Sequence, residues 1–326
     1  MRVLKSLPFT LSALSALSVT LYATQSHAGE ALFTHTYLAE TLPKGAMEVE
    51  QWVTQRSDKS QGTYELTQYR TEFEYGVTDR WTLALYANAY RVEAENNNSA
   101  ASRTNYSAAP GGDGDEVTGG GPVTFGSYVP YFERLPLPSS KYVESDFESV
   151  SLESITQFKS PYKDGYGLAG YVEATYGEKT AELELKVLYQ KNLLEDDLIL
   201  AANGALEFEK EEWAGVGNGE KETLLALTGG ASYRLASNWR LGVELRNERG
   251  YEGAYSLANK YRNYSAWYAG PTLHYAAHSF AVTVGYQQQL PFASAYSDAA
   301  KVELVGDRVY NYSEKNIWRV LLGYSF

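Results

Sequence analysis

The sequence predicts an all-β chain: a closed, antiparallel transmembrane β-barrel of about twelve strands, with short periplasmic turns and long extracellular loops. Three observations predict it. At the C-terminus Trp318, Val320, Leu322, Tyr324 and Phe326 fall at every second position, with Arg319, Leu321, Gly323 and Ser325 between them. A period of two is one face of a strand, and here an apolar, aromatic face opposes a mixed one. At the N-terminus Arg2 and Lys5 precede an apolar stretch diluted by Ser and Thr, and Ser26-His27-Ala28 follows it. A charged start, an apolar middle and a small-residue cleavage site read as a secretory signal peptide over residues 1–28. Its apolar run falls short of the ~20 residues a spanning helix needs. Third, the rest of the chain divides into alternating segments.

Met47, Val49 and Val53 form one face of the first strand, against Glu48, Glu50 and Trp52. After a turn at 58–62, Tyr69, Thr71, Phe73 and Tyr75 oppose Gln68, Arg70, Glu72 and Glu74. A tight turn at Gly76-Val77-Thr78-Asp79 leads into Trp81, Leu83, Leu85, Ala87 and Ala89. Residues 94–145 are rich in Asn, Ser, Gly and Pro and read as one long extracellular loop. Alternation resumes with Val150, Leu152, Ser154, Thr156 and Phe158, and then with Leu168, Gly170, Val172, Ala174 and Tyr176. Leu183, Leu185, Val187 and Tyr189 alternate with Glu182, Glu184, Lys186 and Gln190.

The seventh and eighth strands fall near 200–208 and 223–235. Trp239, Leu241, Val243 and Leu245 then oppose Arg240, Glu244, Arg246 and Glu248. The tenth strand carries Trp267, Ala269, Leu273 and Tyr275, and Pro271 in it lacks a ladder donor, which predicts a bulge. Phe280, Val282, Val284 and Tyr286 make the eleventh, and a loop over 289–314 precedes the closing strand. The count is even, and the long segments all follow odd-numbered strands, as a barrel with a periplasmic N-terminus requires.

Composition agrees. The chain has no Cys, so it is neither a disulfide scaffold nor a thiol enzyme. Loss of Arg2 and Lys5 with the signal peptide takes the net charge from −12 to −14, which argues against a nucleic-acid partner. Tyr outnumbers Phe 28 to 11, and the amphipathic phenol suits a membrane–water boundary. The partners implied are outer-membrane lipid and lipopolysaccharide, small solutes, and the barrel-assembly machinery, which would read Trp318, Tyr324 and Phe326 as its signal. The location implied is the outer membrane of a Gram-negative bacterium.

Several phrases carry a resemblance: Thr41-Leu42-Pro43-Lys44-Gly45, Glu48-x-Glu50-Gln51-Trp52, and Arg70-Thr71-Glu72-Phe73-Glu74-Tyr75-Gly76-Val77-Thr78-Asp79-Arg80. Together with Ser160-Pro161-Tyr162-Lys163-Asp164 and Gly270-Pro271-x-Leu273-His274-Tyr275, they resemble an uncharacterised family of proteobacterial outer-membrane barrels. More distantly, the Tyr-Gly-Val-Thr-Asp-Arg hairpin is similar to barrels of phenol-degradation pathways, which implies hydrophobic or aromatic solutes. The closer, uncharacterised family supplies no functional residue to carry over.

With the apolar faces toward lipid, the opposite faces line the lumen with Glu48, Glu50, Arg70, Glu72, Glu74, Glu153, Glu173, Glu184, Lys186, Arg240, Glu244, Arg246 and Arg319. Buried carboxylates are costly unless hydrated or paired. Water in the lumen makes a narrow polar channel for passive, cation-leaning passage of small solutes. Arginines bridging the glutamates instead make a closed structural or surface-binding barrel. A lipid hydrolase is a third class, and it would need His274 to reach Ser265 near Asn263. The favoured reading is a channel without enzymatic activity, cofactor or bound metal. Gly111-Gly112-Asp113-Gly114-Asp115-Glu116 has carboxylates but not the spacing of a Ca²⁺ loop. An autotransporter needs a passenger, and only residues 29–44 separate the cleavage site from the first strand.

Overall fold

Outward and inward faces separate as the alternation requires. Leu85, Leu152 and Val187 are 57–60% exposed, whereas Glu72, Glu153 and Glu244 on the opposite faces are at most 2% exposed. The computed structural model describes residues 31–58, 63–95, 141–177, 180–211, 220–253, 256–295, 304–305, 309–310 and 314–326. The expected signal peptide, residues 96–140 of the expected long loop and, within them, the acidic stretch 111–116 lie outside the described residues.

The strands are β1 (Met47–Ser57), β2 (Thr63–Thr78), β3 (Trp81–Glu95), β4 (Lys141–Lys159), β5 (Gly167–Gly177), β6 (Thr180–Leu193) and β7 (Leu198–Glu211). They continue with β8 (Glu220–Ala236), β9 (Trp239–Glu252), β10 (Arg262–Ala277), β11 (Phe280–Ala295), β12 (Leu304–Val305), β13 (Val309–Tyr310) and β14 (Asn316–Ser325). Twelve of them close a single antiparallel barrel, and β12 and β13 pair apart as a small ribbon. Closure runs through β14, which pairs with β11 on one side and β1 on the other. The last residue takes part, since the Phe326 N–H donates to the Met47 carbonyl at 2.9 Å. Trp318 and Tyr324 of the expected assembly signal point outward, as Phe326 does.

Aromatic residues mark both rims of the outer surface. Trp239 and Tyr275 lie 4.7 Å apart near the short turns, and Tyr286 and Trp318 lie 4.7 Å apart toward the long loops. Such girdles flank the apolar band of a membrane barrel.

Two expectations need correction. The fourth strand begins at Lys141, not near Val150, and pairs with β3 as far as Glu95. A bulge between Asn88 and Ala89 inserts one extra residue into β4, so Val143 and Phe147 face outward on odd positions and Val150 and Leu152 on even ones. The change of phase hides the first half of the strand from a period-two reading.

Pro271 makes no bulge. The β10–β11 register is the same on both sides of it, from Ala269↔Gln288 to Thr272↔Gly285, and the irregularity falls between Ser265 and Trp267. Without an N–H opposite it, the Tyr286 carbonyl folds against Gly270, where a Cβ would stand 1.7 Å from it. Gly270 absorbs locally what a bulge would otherwise absorb.

In the sequence, residues 29–44 read only as the stretch between the cleavage site and the first strand, and the structure describes residues 31–46. They instead cross the lumen near the short-turn end. Leu32, Phe33, Thr34, Thr36, Ala39 and Leu42 are all buried there.

Candidate functional site

The lumen holds two structures, a bound segment and a charged cavity above it. The segment has no strand partner, so its backbone groups find side chains of the wall. Glu244 on β9 accepts three N–H groups, from Thr34, His35 and Thr36, each at 2.9 Å. Asn203 on β7 both accepts from the Tyr37 N–H at 2.6 Å and donates to the Tyr37 carbonyl at 3.0 Å, as an added strand would. Gln190 accepts from the Ala39 N–H, Gln157 donates to the Ala39 carbonyl, and Thr82 accepts from the Leu42 N–H at 2.8 Å. Arg319 on β14 donates to the Thr34 carbonyl and to Thr54.

The wall is also hollowed to receive the segment. A Cβ on Gly230 would lie 2.6 Å from the Phe33 ring, and one on Gly285 would lie 2.5 Å from Thr34. At the end leading into β1, a Cβ on Gly76 would lie 2.0 Å from the Pro43 carbonyl oxygen.

Above the segment lies a cavity of about 280 Å³, with His35 and Tyr37 contributing to its lining. Its charges are partly sorted by strand, with Lys186 of β6 among the acids and Glu248 of β9 beside Arg246. Glu173, Glu184 and Glu207, on β5, β6 and β7, line one side, and Arg56, Arg70, Arg246 and Arg319, on β1, β2, β9 and β14, line another. The acidic side is a ladder in register, because Glu153 pairs with Glu173, Glu173 with Glu184, and Glu184 with Glu207. Like charges directly opposite each other destabilise a sheet, so water or counter-charges must compensate this row.

Counter-charges do part of this. Arg70 reaches Glu173 at 3.6 Å and lies over the Tyr86 ring, while Lys186 reaches Glu184 at 2.7 Å and lies over the Tyr37 and Tyr171 rings. Arg246 pairs with Glu248 on its own strand, and Arg56 reaches Glu314 at 3.7 Å.

The residues named from sequence therefore divide into groups. Arg70, Glu173, Glu184, Lys186, Arg246 and Arg319 line the cavity. Glu48, Glu50, Glu72 and Glu153 are buried, with Glu74 beside them, on the inner faces of β1, β2 and β4. Glu244 binds the segment and is not part of the cavity lining. Arg240 belongs to neither group: its guanidinium donates to the carbonyls of Asp196, Asp197 and Ser232, bracing the β6–β7 turn.

Of the arginines that a closing network would use, Arg70 reaches Glu173 and Arg246 reaches Glu248, whereas Arg240 bonds backbone carbonyls and Arg319 bonds Thr34 and Thr54. The hydrolase pair does not form. His274 bonds Thr283 at 2.8 Å, Ser265 accepts from Asn247 at 2.9 Å, and the two stand at opposite ends of β10. One signal for the segment was present in the sequence, since Leu32, Phe33, Tyr37, Leu38 and Leu42 are too apolar for a solvated leader.

Among solved structures, the COG4313 outer membrane channel from Pseudomonas putida F1 aligns over 88% of this chain and 98% of its own, with a TM-score of 0.54 and 12% identity. The β-domain of the Bordetella autotransporter BrkA aligns over 87% and 100%, with a TM-score of 0.47 and 12% identity. The KdgM porin aligns over 86% and 99%, with a TM-score of 0.45 and 11% identity. At 12% identity, what this chain shares with the COG4313 channel is the outer-membrane barrel fold. No curated protein matches the sequence. A family model covers residues 25–326, and the chain belongs to that family, a family of unknown function designated DUF6662.

Proposed function

We propose that the protein is an outer-membrane channel for small polar solutes, cation-leaning, with residues 31–46 acting as its constriction. One observation carries this reading: a closed barrel contains a partly charge-sorted cavity whose floor is a segment held by hydrogen bonds. Rings and rows of carboxylates raise the local cation concentration, and opposed charged walls orient solutes that carry both signs. The short turns and the C-terminus face the periplasm, the long loops face outward, and a signal peptide over residues 1–28 directs export. The distant likeness to phenol-pathway barrels suggests aromatic solutes, but a lining of Glu and Arg favours polar ones.

The buried segment also favours a second reading, a barrel closed for good. Planar-bilayer recording separates the two. The full-length mature protein gives small, cation-selective currents, and replacing Glu182, Glu184 and Glu207 by Gln moves the reversal potential toward neutrality in a salt gradient. The shift weakens at high salt, where screening is strong. Absence of current, even from a protein lacking both 31–42 and 96–140, would establish the closed barrel instead. Mass spectrometry of the exported protein tests the cleavage site, with Gly29 the expected first residue.

A further inference from the structure

Five glutamates crowd one patch of the inner wall at the short-turn end. On β1 and β2, Glu48 pairs directly with Glu74 and Glu50 with Glu72, and Glu153 of β4 is buried as well. Two like-charged cross-strand pairs in succession are unfavourable without a counter-charge. Arg70, on the same strand as Glu72, is turned toward Glu173. Carboxylate oxygens of Glu50, Glu72 and Glu74 lie within 4.8 Å of one another.

Further observations, apart from the charge, concern unused ligand atoms. Glu72, 2% exposed, has a buried Oε2 without a hydrogen-bond partner. Thr36 of the N-terminal segment, 4% exposed, has a buried Oγ1 that is likewise unpartnered. Thr36 lines a cavity of about 60 Å³ between segment and wall, and Glu50 and Glu74 line the same cavity. Opposite Glu50 on β14, the partner is Gly323, where a Cβ would stand 2.7 Å from a Glu48 carboxylate oxygen. The wall is thinned where the carboxylates need room.

We propose that Glu50, Glu72 and Glu74 bind a hard divalent cation, Ca²⁺, between the β1–β2 wall and the N-terminal segment. Oxygens on opposite sides of Ca²⁺ are about 4.6–5.2 Å apart, given Ca–O distances of about 2.3–2.6 Å, and the three carboxylates fall within that span. The Thr36 hydroxyl is an additional oxygen on the segment side. Six to eight ligands are usual for this ion, and water in the adjoining cavity supplies the remainder.

Trp52 provides the assay, because its indole N–H donates to Glu50 at 2.7 Å and so places an excitable ring at the site. Purified full-length mature protein, stripped with EDTA in detergent, is titrated with TbCl₃ under excitation of tryptophan. The expected result is saturable Tb³⁺ emission that CaCl₂ displaces, with Tb³⁺ affinity at least tenfold weaker in Glu72→Gln. Melting of the wild-type protein should also shift upward with CaCl₂ and not in Glu72→Gln. Emission that is unchanged in Glu72→Gln, or that is lost instead in Asp113→Asn/Asp115→Asn/Glu116→Gln, would overturn the proposal. Should Glu72→Gln not fold, wild-type protein showing neither emission nor a CaCl₂-dependent melting shift overturns it as well. None of these readouts depends on conductance, so the site and the channel stand or fall separately.

Discussion

Between the short-turn end and the loop end of the barrel, the lumen changes from a packed interior to a charged cavity. At the turn end, residues 31–46 supply the filling, and amides, hydroxyls, the carboxylates of Glu244 and Asp79 and the Arg319 guanidinium satisfy their backbone. At the loop end, the inner faces of β5–β7 carry in-register glutamates that line the cavity. One half obeys the rules of a protein core and the other those of a wetted surface. A twelve-strand barrel is wide enough to need filling and narrow enough for a single extended segment to fill half of it.

Removing the segment should break this contrast most completely. Deletion of residues 31–42 leaves the closing strand pairs untouched and empties the turn-end half. Single-channel conductance should rise at least tenfold over the wild type in planar bilayers. An unchanged conductance would mean that the constriction lies elsewhere in the barrel.

Both halves depend on a wall with lipid on one side and lumen on the other, which neighbouring positions of β6 can test. Leu185 points outward at 39% exposure, and an arginine there would cost about 2–4 kcal/mol near the bilayer midplane. Lys186→Arg, one position along, keeps its charge beside Glu184 and should fold like the wild type. Urea titration of refolded barrels in vesicles measures both, and equal losses would show that the two faces are confused.

The attachment of the segment can be weakened without removing it. Glu244→Gln keeps the side-chain shape but offers a single neutral carbonyl to three N–H groups. Hydrogen bonds to charged groups contribute roughly 1.5–3 kcal/mol each, so docking should weaken by about 1–3 kcal/mol in net terms. The expected signs are flickering openings and faster protease cleavage within 31–46, with the barrel itself still folded. A silent Glu244→Gln variant would shift the anchoring role to Asn203 and Gln190.

The outer face of this molecule was legible in the sequence, and much of the inner one was not. Trp318 to Phe326 or Leu183 to Tyr189 announce strands because period two is a local property. Register is not local, so the glutamates could be assigned to the lumen but not to a ladder: the facing of Glu184 by Glu173 and Glu207 depends on turns far along the chain. The segment escaped because it makes no strand. Its partners, Asn203, Gln190 and Thr82, look like ordinary inward polar residues until the chain that they bind is in place. Bulges hid the rest, as at β4, where one extra residue inverts the alternation.

The smallest expected effect lies outside both halves of the lumen, in the turn between β4 and β5. The Ser160 N–H donates to Asp164 at 2.9 Å, and Lys159 stands 3.5 Å away. That backbone hydrogen bond, chiefly, holds the exposed Asp164 carboxyl below its ordinary value. A folded-state value lower than the unfolded one of about 3.9 means that the turn is stabilised when Asp164 is ionised. The contribution is therefore complete above about pH 4–5 and fades as pH falls through the lowered folded value. Asp164→Asn removes the charge at every pH, so the two proteins should differ slightly at neutral pH and converge in acid. Urea unfolding in vesicles at neutral pH and near pH 3 reads the difference. A gap that widens in acid would show that another group, not Asp164, titrates in this turn.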